Sequence, residues 1–146
     1  MKNKNIVTLF VRNNKGDILL QKRSKQKSGK YGFISGHVQE GETNSQGIIR
    51  ETKEEMGINI DENDLNLFYR VKEGTNNFNL YYMNKDINTD NLILQKEEVE
   101  AVKWCSEEEI KSMIDEDKLY RNHIDAFEVA MNYLNKNNKW GATTKE

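Results

Sequence analysis

The chain has 146 residues, 36% of them hydrophobic and 32% charged, which fits one soluble domain spanning 1–146 with a core of its own. Its formal net charge of −2 excludes a generic nucleic-acid or anionic-membrane binder, which needs a basic surplus, and no apolar run approaches the ~20 residues that cross a bilayer. Cys105 is the only cysteine, so no internal disulfide forms, in keeping with a cytoplasmic protein in a reducing compartment.

The chain opens on "MKNKNIVTLFVRNNKG", basic residues and then a short alternating run that breaks at Arg12 without a small-residue cleavage site. It reads as a strand over 5–12 and not as a signal peptide. Ile6, Thr8 and Phe10 lie on one face and Val7, Leu9 and Val11 on the other, a pattern that predicts burial on both sides. "NNKGD" marks a turn, and "ILLQKR" at 18–23 is the returning strand of a hairpin. A polar loop, "SKQKSGK", leads into the short aromatic stretch "YGFISG". Residues 43–56 form the first clear helix, with Thr43 and Gln46 as a capping box and Gly57 as its stop. Strands follow at 65–72, 78–84 and 99–104. A short helix opens at the Ser106 cap, and Leu119, His123, Phe127, Ala130, Met131 and Leu134 predict a terminal helix over 117–136. Residues 137–146 read as a frayed polar end. Strands and helices in this order, without regular βα alternation, predict a mixed sheet flanked by helices.

Chemistry concentrates in and before the helix over 43–56. At roughly 100° per residue, Ile48, Ile49, Thr52 and Met56 fall on one core-facing arc, with Glu51, Glu54 and Glu55 on the neighbouring one. Acids at i, i+3 and i+4 repel one another even when solvated. A solvated helix face is one reading of them. Gly47 projects on the arc of Glu51 and Glu54, where a glycine costs helix stability and leaves space above the acids. Hard divalent cations take oxygen ligands, and magnesium binds through a few carboxylates plus substrate phosphates. Gly36 and Gly41, in the loop before the helix, allow backbone groups to be aimed at the same point.

From Gly36 the order is five residues, Glu42, seven residues, then Arg50, Glu51, Thr52, Lys53, Glu54, Glu55, Met56, Gly57 and Ile58. Residues 36–58 thereby resemble the Nudix box, G-x5-E-x7-R-E-U-x-E-E-x-G-U, where U is bulky and apolar. "LLQKR" before it, "YGFISGH" leading in and "EEVEAVKWCSEEEI" after it are similar to the surroundings of the box in that family. Thr52 stands where an aliphatic residue is usual, and Ser35 where a second glycine often precedes Gly36. The resemblance implies an α/β fold of the α+β kind, an α/β/α sandwich on a mixed sheet. It implies a hydrolase that uses magnesium (Mg2+) or manganese (Mn2+) to cleave a nucleoside diphosphate linked to another moiety. Glu51, Glu54 and Glu55 and the Gly36 carbonyl would be metal ligands, with Glu42 and Arg50 bracing the box. An acid just before the last strand often serves as a further ligand or base in such proteins. Glu98 is preferred for that role on its spacing from Trp104, with Glu97 and His37 as the other candidates.

Arg23, Tyr31 and Phe33 are candidate substrate contacts, set against strand-end and core roles. Tyr81 and Tyr82 read more readily as core, and Cys105 as a buried small residue without a base. The expected partner is a small nucleotide or diphosphate, with neither nucleic acid nor membrane, in a monomer or homodimer. Two other functions compete. A non-catalytic nucleotide-binding regulatory module would have lost box acids, and here they are all present. An enzyme like isopentenyl-diphosphate isomerase would need a cysteine before the box, and the chain has none.

Overall fold

A computed structural model of the chain describes residues 3–136. The strands are β1 (Lys4–Arg12), β2 (Ile18–Arg23), β3 (Tyr31–Gly32), β4 (Ile34–His37), β5 (Asn66–Glu73), β6 (Asn76–Asn84) and β7 (Val99–Cys105). The helices are α1 (Asn44–Met56), α2 (Glu107–Asp115) and α3 (Ile124–Lys136). Among the described residues the strands make one seven-stranded mixed sheet. β1 lies at its centre, parallel to β6 and antiparallel to β2 and β4, while β2 also pairs with β3 and β7.

The two apolar faces of β1 divide the core. Phe10 packs with Leu20, Phe33, Ile110 and Phe127 on the face covered by α2 and α3. Val7, Leu9 and Val11 pack with Ile34, Ile48 and Met56 on the face covered by α1. This is the expected sandwich, with a helix layer on each side of the sheet.

Local sequence sets the helix ends. Thr43 Oγ1 accepts from the Gln46 N–H while the Gln46 side chain accepts from the Thr43 N–H, and Gly57 ends α1 at φ +71°. Ser106 and Glu109 form the same reciprocal cap on α2. Thr52 is fully buried, and its hydroxyl donates to the Ile48 carbonyl at 2.8 Å, so it satisfies itself within the helix.

The helix predicted over 117–136 starts later, at Ile124. Asp117 takes φ +60°, Leu119 forms a bridge with Tyr31, and the Tyr120 N–H donates to the Tyr31 carbonyl. The Lys118 carbonyl and the Tyr120 N–H thus bond the edge of β3, while the Lys118 N–H closes on the end of α2, so this stretch does not join α3. The frayed end expected over 137–146 lies outside the described residues. Among those described, no helix is long and apolar enough to cross a membrane.

Candidate metal centre

The acidic arc of α1 lies against β4 through Glu51 and against β2 through Glu55. Gly36 in β4 lies against Glu51. A Cβ built on Gly36 would stand 2.5 Å from Glu51 Cδ and 2.7 Å from its Cγ, so only glycine lets the carboxylate reach this backbone. The loop that follows is tied to the helix by Glu42. Its Oε1 accepts from the Gln39 N–H at 2.9 Å, and Gly41 turns the chain at φ +87°.

Arg50 distributes its donors over the whole motif. Nε reaches Glu42 Oε2 at 2.7 Å and Nη2 reaches the His37 carbonyl at 3.0 Å. Nη1 lies 3.3 Å from both Glu51 Oε2 and Glu54 Oε1. These bonds hold the Glu42 carboxyl below its ordinary pKa, led by the one from Arg50.

Glu55 is half-buried, and burial pushes its carboxyl well above the usual carboxylate range. The Gln21 amide works against that by donating to Oε1 at 2.9 Å, while the charge of Glu51 and a hydrogen bond shared with it raise the pKa further. Glu98 adds like charge from the segment before β7. That segment is tied to α1 by the Gln95 N–H, which donates to the Glu55 carbonyl at 2.9 Å. The Glu98 carboxylate pairs with Lys27 at 3.4 Å.

The structure therefore brings Gly36, Glu51 and Glu55 together, with Glu98 as an electrostatic neighbour. Glu54 turns outward, its side chain 52% exposed and paired with Arg50. Among the described residues, no group of three carboxylate, histidine or cysteine side chains converges on one point as the side chains stand. The donor set still suits a hard divalent cation. It is all oxygen, it combines carboxylates from a helix and a loop, and it includes a close backbone approach kept open by Gly36.

Other predicted residues lie elsewhere. Phe33 is 2% exposed and stacked on Phe127, so it is a core residue and not a substrate contact. Tyr31 is half-buried at the β3 edge and packs against the same core. The Arg23 guanidinium lies 3.8 Å over the Tyr120 ring, and its Nε donates to the Lys27 carbonyl. The space above Gly47 is taken by Val38, whose Cγ2 would stand 3.1 Å from an added Cβ, and by Glu42 Oε1 at 3.5 Å, and not by Glu51 or Glu54. The His37 side chain is exposed, and His123 is buried with Nδ1 accepting from the Phe33 N–H. Cys105 is buried, and its thiol is pushed up to about 11.

Two residues were missed in the sequence. Gln21 had a signal, a polar residue at an inward position of the apolar strand "ILLQ". Ser24 had none, because its bonds go to the backbone of a distant segment.

Comparison with known proteins shows the family and the fold. A NUDIX domain family model matches residues 2–127. An uncharacterized Nudix hydrolase of Listeria monocytogenes is 34% identical over 114 residues, covering 74% of this chain. The match spans 66% of that relative, just under two thirds of its length. Among solved structures, DR0079 of Deinococcus radiodurans superposes with a TM-score of 0.70 at 21% identity, over 89% of this chain and 82% of its own. The NUDIX domain of Shewanella oneidensis NrtR, solved with ADP ribose, gives a TM-score of 0.71 at 18% identity, over 92% and 90%. At these identities the two structures are matches of fold.

Proposed function

The chain belongs to the Nudix family, and on that premise we propose that it is a metal-dependent hydrolase cleaving the diphosphate bond of a nucleoside diphosphate linked to another moiety. The observation that carries this reading is the close fit of Gly36 to Glu51, with Glu55 beside them and Arg50 fastening the box loop to the helix. Each box acid is present, which separates the chain from a module that binds nucleotides without turnover.

Glu51, Glu54, Glu55, Glu98 and the Gly36 carbonyl are the groups that would hold Mg2+ or Mn2+. When bound, the ion supplies charge neutralisation for the diphosphate and polarisation of the attacking water. The chain's own residues supply position and proton transfer. Arg50 holds the loop of Gly36 at a fixed distance from the helix that carries the acids. Glu98 comes from a separate element beside Glu55 and is the acid assigned to accept the proton from water. Isomerase chemistry is disfavoured, since Cys105 is buried and its raised pKa keeps it as the inert thiol. A reducing cytoplasm suits that free thiol.

The test is release of phosphate or pyrophosphate-containing products from a panel of nucleoside diphosphate derivatives, ADP-ribose and dinucleoside polyphosphates among them, with Mg2+ or Mn2+ and with EDTA. Metal-dependent turnover of at least one compound is the expected result, lost in Glu54→Gln and Glu55→Gln variants that keep the native fold. An inactive panel, or full activity in either variant at saturating metal, would overturn the reading.

A further inference from the structure

Two polar side chains are buried at the end of β2, where the core pattern calls for apolar ones. Gln21 is 5% exposed and Ser24 7%. Gln21 is two residues along the strand from Leu19 and shares its face, and Leu19 belongs to the core beneath α1. A buried amide is costly unless its hydrogen bonds are made, and that of Gln21 donates to Glu55 Oε1 at 2.9 Å. Ser24 makes two bonds to the segment before β7. Its N–H donates to the Glu98 carbonyl at 3.0 Å, and its hydroxyl donates to the Glu97 carbonyl at 2.8 Å.

The strand between these residues is well fixed. Gln21 pairs with Val102 of β7 and Gly32 of β3, and Arg23 pairs with Val99. The turn after Ser24 closes on the Ser24 carbonyl, which accepts from Lys27 and Gly29, and it places the Lys27 ammonium 3.4 Å from the Glu98 carboxylate. Two residues of one strand end, Gln21 and Ser24, thus touch an acid on α1 and the backbone that carries an acid of another element.

We propose that Gln21 and Ser24 are positioning residues of the candidate metal centre, and that together they set the separation between Glu55 and Glu98. This rests on the hydrolase reading of the site. The physical reason is that α1 and the 95–98 segment are otherwise joined through backbone bonds such as Gln95 N–H to Glu55 O, which fix main chains and not carboxylates. Gln21 adds a hold on the carboxylate itself. Ser24 holds the Glu97 and Glu98 carbonyls and so fixes the main chain from which that acid extends, and the turn it closes carries the Lys27 ammonium that meets the carboxylate.

Partners of this kind, mutated one at a time, typically cost about 10–100-fold in metal affinity. The experiment is calorimetric titration of Mn2+ into the full chain and into Gln21→Met, which keeps length and volume but removes the amide, and Ser24→Ala. Each is made in the natural background and in Glu55→Gln or Glu98→Gln respectively. Mn2+ binding should weaken about 10-fold or more in each single variant. The same change should add nothing once its partner acid is neutralised. Unchanged affinity in both single variants would overturn the proposal, as would equal losses in both backgrounds, the mark of a merely structural role. If Gln21→Met lacks the native circular dichroism, the Ser24 arm decides alone. A natural chain that binds no Mn2+ removes the hydrolase reading and this one with it. Binding that the variants leave untouched removes only this one.

Discussion

Arg50 meets Glu42 fork to fork, with Nε donating to Oε2 at 2.7 Å and Nη2 to Oε1 at 3.2 Å. Both side chains are about four-fifths covered, at 20% and 18% exposure. The pair links the end of the box loop to the middle of α1, eight residues on. The remaining guanidinium donors reach Glu51, Glu54 and the His37 carbonyl, so one planar cation organises three acids and a backbone group.

Lysine cannot reproduce that fork. Arg50→Lys keeps the charge but offers one ammonium where five N–H groups are in use. Turnover is expected to fall by about 10²-fold, because a loop displaced by an ångström misplaces the groups it carries. Glu42→Gln should lower Tm at pH 7 by removing the charge-assisted bonds. The Glu42 carboxyl has a depressed pKa, so its stabilisation is present above the ordinary carboxylate range and is lost as pH falls through the folded value. Thermal melts from pH 7 to pH 3 check this. The Glu42→Gln variant should converge on the natural chain at the acid end, and a constant gap across the range would contradict the assignment.

Gly36→Ala tests the close approach to Glu51. The added methyl would overlap the Glu51 side chain at its Cγ and Cδ, which must swing away. Gly36 sits in β4 opposite Val7, a position that alanine can occupy without a change of backbone. The variant is therefore expected to fold, and to lose Mn2+ affinity by about 10–100-fold. Titration with Mn2+ and a melt in EDTA separate the two effects. An alanine variant that binds metal normally would show that Glu51 has no need of this spot.

Much of this architecture was legible in the residues, and the reason is local. Thr43, Gln46 and Gly57 write the ends of α1 by short-range hydrogen bonds, and the alternation of β1 announces burial on both faces. The box acids are likewise set by helical spacing. What escaped the sequence depends on long-range contact. Asp117 and Leu119 fit a helical pattern, yet residues 118–120 are claimed by the free edge of β3, some ninety residues earlier. Phe33 could have served a pocket or the core, and only the stack on Phe127 decides it. The side-chain direction of Glu54 was also beyond spacing, because it follows the nearest cation.

The raised pKa of Glu55 gives an opposite pH signature to that of Glu42. Burial and the neighbouring Glu51 disfavour its charge, so the native state holds a proton that the unfolded chain has released. Stability from this group is full below its unfolded pKa, about 4.3, and declines as pH rises toward a folded value of about 8. Glu55→Gln removes that penalty. In EDTA at pH 8 the variant is expected to melt above the natural chain by about 2 °C or more, while its metal-dependent activity is lost. Melts at pH 5 and pH 8 in EDTA make the comparison, with the advantage of the variant confined to the higher pH. An equal or lower Tm at pH 8 would mean that the carboxylate is not strained by its surroundings.

His123 provides the last pH-dependent term, on the other side of the sheet. It is 7% exposed, and burial followed by the charge of Arg23 lowers its pKa to about 4. Its Nδ1 accepts the Phe33 N–H at 3.1 Å, so the neutral ring fastens the strand leading into the box to the start of α3. The unfolded chain takes up a proton near pH 6.5 while the native ring stays neutral. Stability is therefore full above that value and falls as pH drops from about 6.5 toward 4, by about 3 kcal/mol at most. His123→Asn keeps a short acceptor for the Phe33 N–H and cannot titrate. Urea unfolding at pH 7 and pH 5 should show a loss in the natural chain that is reduced by about 2 kcal/mol in the variant. Nitrogen NMR shifts should report a neutral imidazole in the folded chain at pH 5. A protonated ring at that pH, with native structure intact, would refute the buried acceptor role.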